Sequence, residues 1–164
     1  MTNALLDELV IRKMMELFMR RMDDQDGHGV ASMFTDAGVF RVSGKELVGR
    51  DAISGFLLNE RQFVGEPVRW QEEGNLLHHP RGIHILSSPI IEIDGDAATA
   101  ECDCVTVHRD ADGHPRLGIL CRYRDRLVRS GDGRWLIAER TGVALRKRDP
   151  SELEHLPRGV REAT

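Results

Sequence analysis

In the stretch LLDELVIRKMMELFMRRM, apolar residues fall at Leu6, Leu9, Val10, Met14, Leu17, Phe18 and Met22. Steps of three and four residues collect these side chains on one side of a helix, which predicts a helix over residues 4–22 with that stripe buried. The sequence MDDQDGH then places Asp23, Asp24 and Asp26 at the negative end of the helix dipole, where cations are favoured. DGHGVASMF restarts as a short second helix, for which Asp26 is a candidate N-cap. GVFRVSG and KELVG are short strand-like pieces around Ser43-Gly44. GRDAISGFLLNERQFVG reads as a third helix, opened by Asp51 and closed before Gly65.

From Arg81 the periodicity changes. GIHILSSPIIEI, AATAECDCVTVHR, RLGILCRYRDRLVR and RWLIAERTGVAL are four long strand candidates. They are separated by DGD (94–96), DADGHP (110–115) and SGDG (130–133), the turn chemistry of consecutive hairpins. Helices followed by an antiparallel meander define an α+β fold rather than alternating βαβ units. The expected architecture is a strongly bent, mainly antiparallel sheet that wraps one face around the N-terminal helices. This leaves a cone-shaped hollow of the kind in which ligand sites form. Residues 1–148 are read as one domain. Residues 149–164, charged and carrying Pro150 and Pro157, are read as a surface arm.

The 164-residue length suits one domain with a real core, and 40% hydrophobic with 30% charged residues is ordinarily globular. A net charge of −4 without a basic stripe argues against nucleic acid as a partner. No apolar run is long enough for a bilayer, and MTNALLDELV lacks the basic and apolar regions of a signal peptide. Cys102, Cys104 and Cys121 are an odd set without CxxC spacing. They read as reduced, buried thiols of a cytoplasmic protein, and Cys102 and Cys104, two apart on one strand, are a poor disulfide pair.

Four kinds of chemistry can be weighed against these residues. A calcium loop with Gly27 at its sixth position finds Asp24 and Asp26 well placed, but Met22 and Met33 stand where oxygen ligands are required. The histidines, His78, His79 and His84 among them, show no zinc spacing, so no metal site is expected. Cys104 lies mid-strand in apolar surroundings that raise a thiol pKa, and no GxSxG elbow or phosphate-cradling glycine loop is present. An acid–base pair is the fourth. His84 sits in an otherwise apolar strand, and the helix end carrying Asp23 is the nearest one in this architecture. A carboxylate that holds one imidazole nitrogen leaves the other competent as a base. The alternative is a core histidine satisfied by a backbone carbonyl, and the residues alone leave both open.

The local patterns MDDQDGHGVASMFTDAGVF, VGRDAISGFL, GIHILSSPIIEIDGDAATAEC and GILCRYRDRLVRSGDGRWLIAERTGV occur in an order that resembles the SnoaL-like branch of the nuclear transport factor 2-like superfamily. They span about residues 6–146. The resemblance implies a cone-shaped α+β barrel and a homodimer. Two enzyme groups of that superfamily, scytalone dehydratase and hexachlorocyclohexane dehydrochlorinase, use a His–Asp dyad, and the matching positions are His84 and Asp23. An arginine in the last strand assists in the dehydrochlorinase, and Arg140 in IAERTGV matches it. Phe18 departs from the pattern, because the dehydrochlorinase has a lysine there and the related bile-acid dehydratase a tyrosine. A polar helper must then come from Tyr123, Arg140 or the reprotonated His84. Tyr123 alternates with Ile119 and Cys121 on one strand face, and reads equally as a core aromatic. Arg140 alternates with Ala138 and Leu136, so an inward guanidinium needs a structural acid or an anionic substrate. Phe18, Met22, Phe56, Cys104 and Ile119 are the expected apolar wall.

These features imply a lyase or isomerase of the dehydratase or dehydrohalogenase kind. It would act on a hydrophobic small molecule without a metal or organic cofactor. The alternatives are a non-catalytic domain that binds a hydrophobic ligand, and a structural β-subunit of a ring-hydroxylating dioxygenase. Fold does not choose among them.

Overall fold

Helix α1 (Ala4–Asp23) turns a different side to the core from the one its leucines suggest. Ile11, Met15, Phe18 and Met19 are buried, whereas Leu6, Leu9, Val10 and Leu17 stay exposed and Met14 and Met22 are half-buried. Of the stripe expected from the sequence, only Phe18 is fully buried. Apolar residues occupy most of the helix circumference, so hydrophobic burial alone sets its rotation loosely. Two buried carboxylates near the ends set it instead. Asp7 accepts hydrogen bonds from Trp135 Nε1 at 3.1 Å and from Arg129 Nη2 at 2.7 Å, and Asp23 is engaged by β3 at the other end. A buried carboxylate needs such partners, so the face that carries both acids is the face that docks.

The Arg129 guanidinium, helped by the Trp135 indole, holds Asp7 below the ordinary carboxylate range. Its contribution to stability is therefore present above the ordinary aspartate pKa of about 3.9 and fades as pH falls through the lower folded value. Asp7→Asn is expected to flatten the acid loss of stability below about pH 4, measured as urea midpoint against pH. Equal slopes for the two proteins would remove Asp7 from that role.

The computed structural model describes residues 4–59, 82–109 and 112–145. After α1 the chain turns through Gln25, whose φ of 58° is left-handed. The Asp26 N–H bonds the Arg21 carbonyl at 2.8 Å and the Gln25 N–H bonds that of Met22 at 3.1 Å, which closes the helix end. The Asp26 side chain accepts from the Gly29 N–H and caps α2 (Gly27–Ser32). Strand β1 (Phe34–Val42) starts four residues before its local signal at Gly38, because pairing with the last strand extends it back to Phe34. Ser43 and Gly44, both at positive φ, turn the chain into β2 (Lys45–Val48). Helix α3 (Arg50–Asn59) follows, and residues 60–64 of the expected third helix lie outside the described residues. The expected C-terminal arm, residues 149–164, also lies outside them.

The remaining strands are β3 (Ile83–Leu86), β4 (Ile90–Asp94), β5 (Ala97–Arg109), β6 (Pro115–Arg129) and β7 (Trp135–Ala144). The sheet runs β2-β1-β7-β6-β5-β3, with β4 also paired to β5. All pairings are antiparallel except β1 with β7. The single long strand expected over residues 82–93 is two, β3 and β4, which occupy successive lengths of β5. Ser87-Ser88-Pro89 separates them. Pro89 has no N–H to donate, and Ser87 takes over the junction by bonding the Asp103 carbonyl through its N–H and the Asp103 N–H through its Oγ, each at 2.9 Å. The fold is α+β, with N-terminal helices against a curved mixed sheet. Phe18 of α1 and Phe34 and Phe40 of β1 meet at its centre, with Phe18 edge-on to the other two rings at 6.1 and 5.8 Å.

Candidate active site

Strand β3 enters the sheet at Gly82, where φ is +81° and a Cβ would lie 2.0 Å from the Val107 carbonyl oxygen. Only glycine fits there, and the close approach brings His84 into register opposite Thr106. His84 faces the end of α1. Its Nδ1 lies 2.6 Å from Asp23 Oδ1, and its backbone N–H reaches Asp23 Oδ1 and Oδ2 at 3.3 and 3.1 Å. The carboxylate therefore holds both the ring and the strand that carries it. With Asp23 ionised, Nδ1 donates and Nε2 carries the free lone pair. Nε2 has no protein partner among the described residues. Asp23 is buried, while the His84 side chain keeps 24% of its surface exposed. That exposure opens on a groove of about 360 Å³ lined by Glu16, Met19, Arg20, Asp23 and residues 83–86.

The inner wall of the sheet lies beside this pair. On β6, Cys121, Tyr123, Asp125 and Leu127 are buried. The alternate residues Arg122, Arg124 and Arg126 point outward and pair with Asp103, Glu101 and Glu139 at 2.7–2.8 Å. On β7 the simple alternation breaks. Arg126 pairs with Glu139 but Leu127 with Ile137, so Ala138 is an extra residue and the strand bulges. Trp135 and Ile137 are buried before the bulge and Ala138 and Arg140 from it onward, so of the expected series Leu136, Ala138, Arg140 only Leu136 falls out.

Arg140 is 1% exposed and answers the question of its partner. Its Nη2 donates to Asp125 Oδ2 at 3.1 Å, and its Nε lies 2.9 Å from Oδ1. The guanidinium stacks over Phe18, 3.8 Å from the ring centroid, and over Tyr123 at 4.7 Å. Burial pushes the Asp125 carboxyl above its ordinary range, with Arg140 pulling it back. Arg140 Nη1 is buried and has no hydrogen-bond acceptor among the described residues. Burial also pushes the Tyr123 phenol upward, which keeps it protonated. Gly142, opposite Tyr123, leaves room for the ring, since a Cβ there would come within 2.8 Å of it.

The other expected wall residues are more dispersed. Phe18 lies beneath Arg140 in the core, and Cys104 is buried against Cys121. Met22 is half-buried at the helix end. Phe56 is half-buried on α3, with the Lys45 ammonium 4.7 Å from its ring centroid. Ile119 is 61% exposed. The groove residues Glu16, Met19 and Arg20 were not anticipated, yet counting back from Asp23 in steps of three and four along α1 reaches all three. Among the described residues no group of three or more His, Cys, Asp and Glu is placed to hold a metal ion, and no helix is long and apolar enough to cross a membrane.

N-terminal helices packed against a curved mixed sheet are the architecture of the NTF2-like, cystatin-like folds, the class to which this chain's structural neighbours belong. The family model of the SnoaL-like domain matches residues 3–141, and the chain belongs to that family. No curated protein matches its sequence. Among solved structures it is similar to Rv3472 of Mycobacterium tuberculosis, a function-unknown protein. The two share 26% identity over 93% of this chain and 79% of that one, with a TM-score of 0.72. It is also similar to an NTF2-like protein with a cystatin-like fold from Novosphingobium aromaticivorans, at 19% identity over 94% and 92% of the two chains, TM-score 0.70. A protein from Catenulispora acidiphila, solved in complex with S-DNPA, is 26% identical over 87% and 95%, with a TM-score of 0.66.

Proposed function

We propose that this chain is a cofactor-independent lyase or isomerase for a hydrophobic small molecule, with His84 as general base and Asp23 as its orienting partner. One observation carries the reading: the 2.6 Å contact between His84 Nδ1 and Asp23, which leaves Nε2 free beside an open groove. Nε2 removes a proton from a carbon made acidic by a neighbouring carbonyl, ring or halide. Asp23 stabilises the imidazolium that forms and fixes the tautomer beforehand. Loss of water or halide then completes an elimination, and return of the proton to another atom completes an isomerisation.

Charge that develops on the substrate needs a donor, and Phe18 supplies none. Arg140 Nη1 is a buried, charged donor without an acceptor among the described residues, clamped by Asp125 and two rings; it does not line the groove, so it serves a substrate group that reaches past His84 to the inner wall of the sheet. Burial raises the Tyr123 phenol and makes it a poor acid, so reprotonation falls to His84 itself. The S-DNPA complex of the Catenulispora acidiphila relative supports a small-molecule ligand for this pocket.

A panel of apolar β-hydroxy and β-halo carbonyl compounds, incubated with the protein in D2O, tests the reading. At least one member is expected to eliminate or to take up deuterium at its acidic carbon. A ligand that binds and returns unchanged and unlabelled would assign the chain to binding alone.

A further inference from the structure

Beside the dyad, the inner wall holds two thiols for which the proposed chemistry has no use. Cys104 on β5 and Cys121 on β6 are direct cross-strand partners. Both are free and buried, at 1% and 8% exposure, on facing positions of the inner wall. We propose that Cys104 and Cys121 form a peroxide-sensitive dithiol, a modification site that closes reversibly into a cross-strand disulfide and takes hydrogen peroxide or an organic hydroperoxide as oxidant.

The backbone fixes the encounter. Ser87 N–H donates to the Asp103 carbonyl at 2.9 Å, and Leu145 N–H donates to the Leu120 carbonyl at 2.8 Å. Asp103 and Leu120 thus direct their main-chain groups away from the β5–β6 seam, and their neighbours Cys104 and Cys121 exchange hydrogen bonds across it. Such a pair has its Cα atoms about 5.5 Å apart, inside the disulfide range. Its Cβ atoms stand up to about 5.5 Å apart, wider than the roughly 4 Å a relaxed disulfide prefers. Closure therefore draws the two strands together locally. A bridge made under such strain is readily reduced, as befits a reversible modification rather than a structural bond.

The surroundings assign a role to each sulfur. The neighbouring Cys104 thiol and Tyr123 hydroxyl, with the fields of His84 and Arg140, pull the Cys121 thiol down against the effect of burial, to about 7. The Cys121 sulfur, together with burial, pushes Cys104 up. Cys121 is thus the attacking thiolate, and it is also the more exposed of the two. It attacks one peroxide oxygen, the O–O bond breaks, and the departing oxygen leaves as water or alcohol, giving a Cys121 sulfenic acid. The Cys104 sulfur displaces hydroxide from that sulfenic acid, and hydroxide leaves as water with the Cys104 proton. Two electrons pass from the dithiol to one peroxide.

Cys102 stands outside this reaction. It faces Tyr123 across the seam, and burial pushes its thiol up to about 11. On its other side, Cys104 pairs with Leu86 of β3, two residues beyond His84, so closure acts on the strand that carries the imidazole. The dithiol does not depend on what the dyad catalyses, and its test needs no substrate.

The full chain is treated with hydrogen peroxide, quenched, and its thiols are counted under denaturing conditions. The expected result is a fall from three thiols to one, a loss of about 2 Da in the monomer, a Cys104–Cys121 linked peptide, and full recovery with dithiothreitol. Cys102→Ser should go from two thiols to none with the same linkage. Cys104→Ser should stop at a Cys121 sulfenic acid that dimedone captures. Three thiols persisting in the wild-type protein would overturn the proposal. So would a linkage through Cys102, or loss through disulfides between chains. Peptide mapping of the wild-type protein decides the matter even where a variant folds poorly.

Discussion

His84→Gln and Asp23→Asn are each expected to lower turnover by about 10²- to 10⁴-fold, the range ascribed to a well-placed general base. Glutamine keeps much of the size and polarity of the imidazole but accepts no proton at neutral pH. Asparagine keeps an oxygen for the His84 N–H, so the strand stays anchored, but its amide can donate to Nδ1. That would favour the tautomer with the proton on Nε2, where the base should be. The two changes disable one device in different ways, so the double variant should be little slower than the worse single variant. Substrate affinity is expected to change far less than kcat, since neither replacement alters the apolar walls of the groove. Steady-state kinetics on any compound found to react, with circular dichroism to check the fold, decides the outcome. Full turnover in both variants would end the case for the dyad.

The second large effect concerns stability. Asp125→Ala is expected to destabilise the protein by about 3–5 kcal/mol, because it leaves the Arg140 guanidinium buried without its counter-charge. The matching change, Asp125→Leu together with Arg140→Met, removes both charges and is expected to be close to neutral or stabilising. The contrast is physical rather than paradoxical. Burial disfavours ionised Asp125, and its raised folded pKa means that ionising it weakens the fold as pH rises from about 4. The pair is thus a poor source of net stability, yet neither member can be removed alone. Urea unfolding of the single and double variants measures both statements. If Asp125→Ala unfolds at the wild-type midpoint, the buried pair is not what holds Arg140 in place. A charged group kept at such expense fits a role toward ligand, which is the sense in which Arg140 serves the proposed chemistry.

The element order was legible in the sequence because it rests on local signals, whereas the residues alone left the partner of His84 open and its match to Asp23 came with the family resemblance. Alternation in GILCRYRDRLVR separates Cys121, Tyr123 and Asp125 from Arg122, Arg124 and Arg126, and that separation is what the sheet shows. Asp125 shares the parity of Tyr123 and Leu127, so the structural acid for Arg140 could have been read from the same pattern. What stayed hidden depends on partners remote in the chain. The rotation of α1 is set by Arg129 and Trp135 reaching Asp7, which no count of leucines reveals. The extra residue at Ala138 is a register event between β6 and β7, and it takes Leu136 out of the inward series while Ala138 and Arg140 stay in it. The meeting of Cys104 with Cys121 likewise requires the β5–β6 register, where spacing along one strand speaks only of Cys102 and Cys104.

Asp23 accepts from the His84 main chain as well as from its ring. In consequence, the strand end and the imidazole share one anchor, and Asp23 keeps β3 docked on α1 whichever rotamer the ring adopts. Since β3 has β5 as its strand neighbour in the sheet, the His84 amide keeps its proton from solvent for as long as the carboxylate holds it. The exchange of that one backbone hydrogen thereby reports how long the strand end stays docked on Asp23, and it can be followed in the resting protein before any substrate is known.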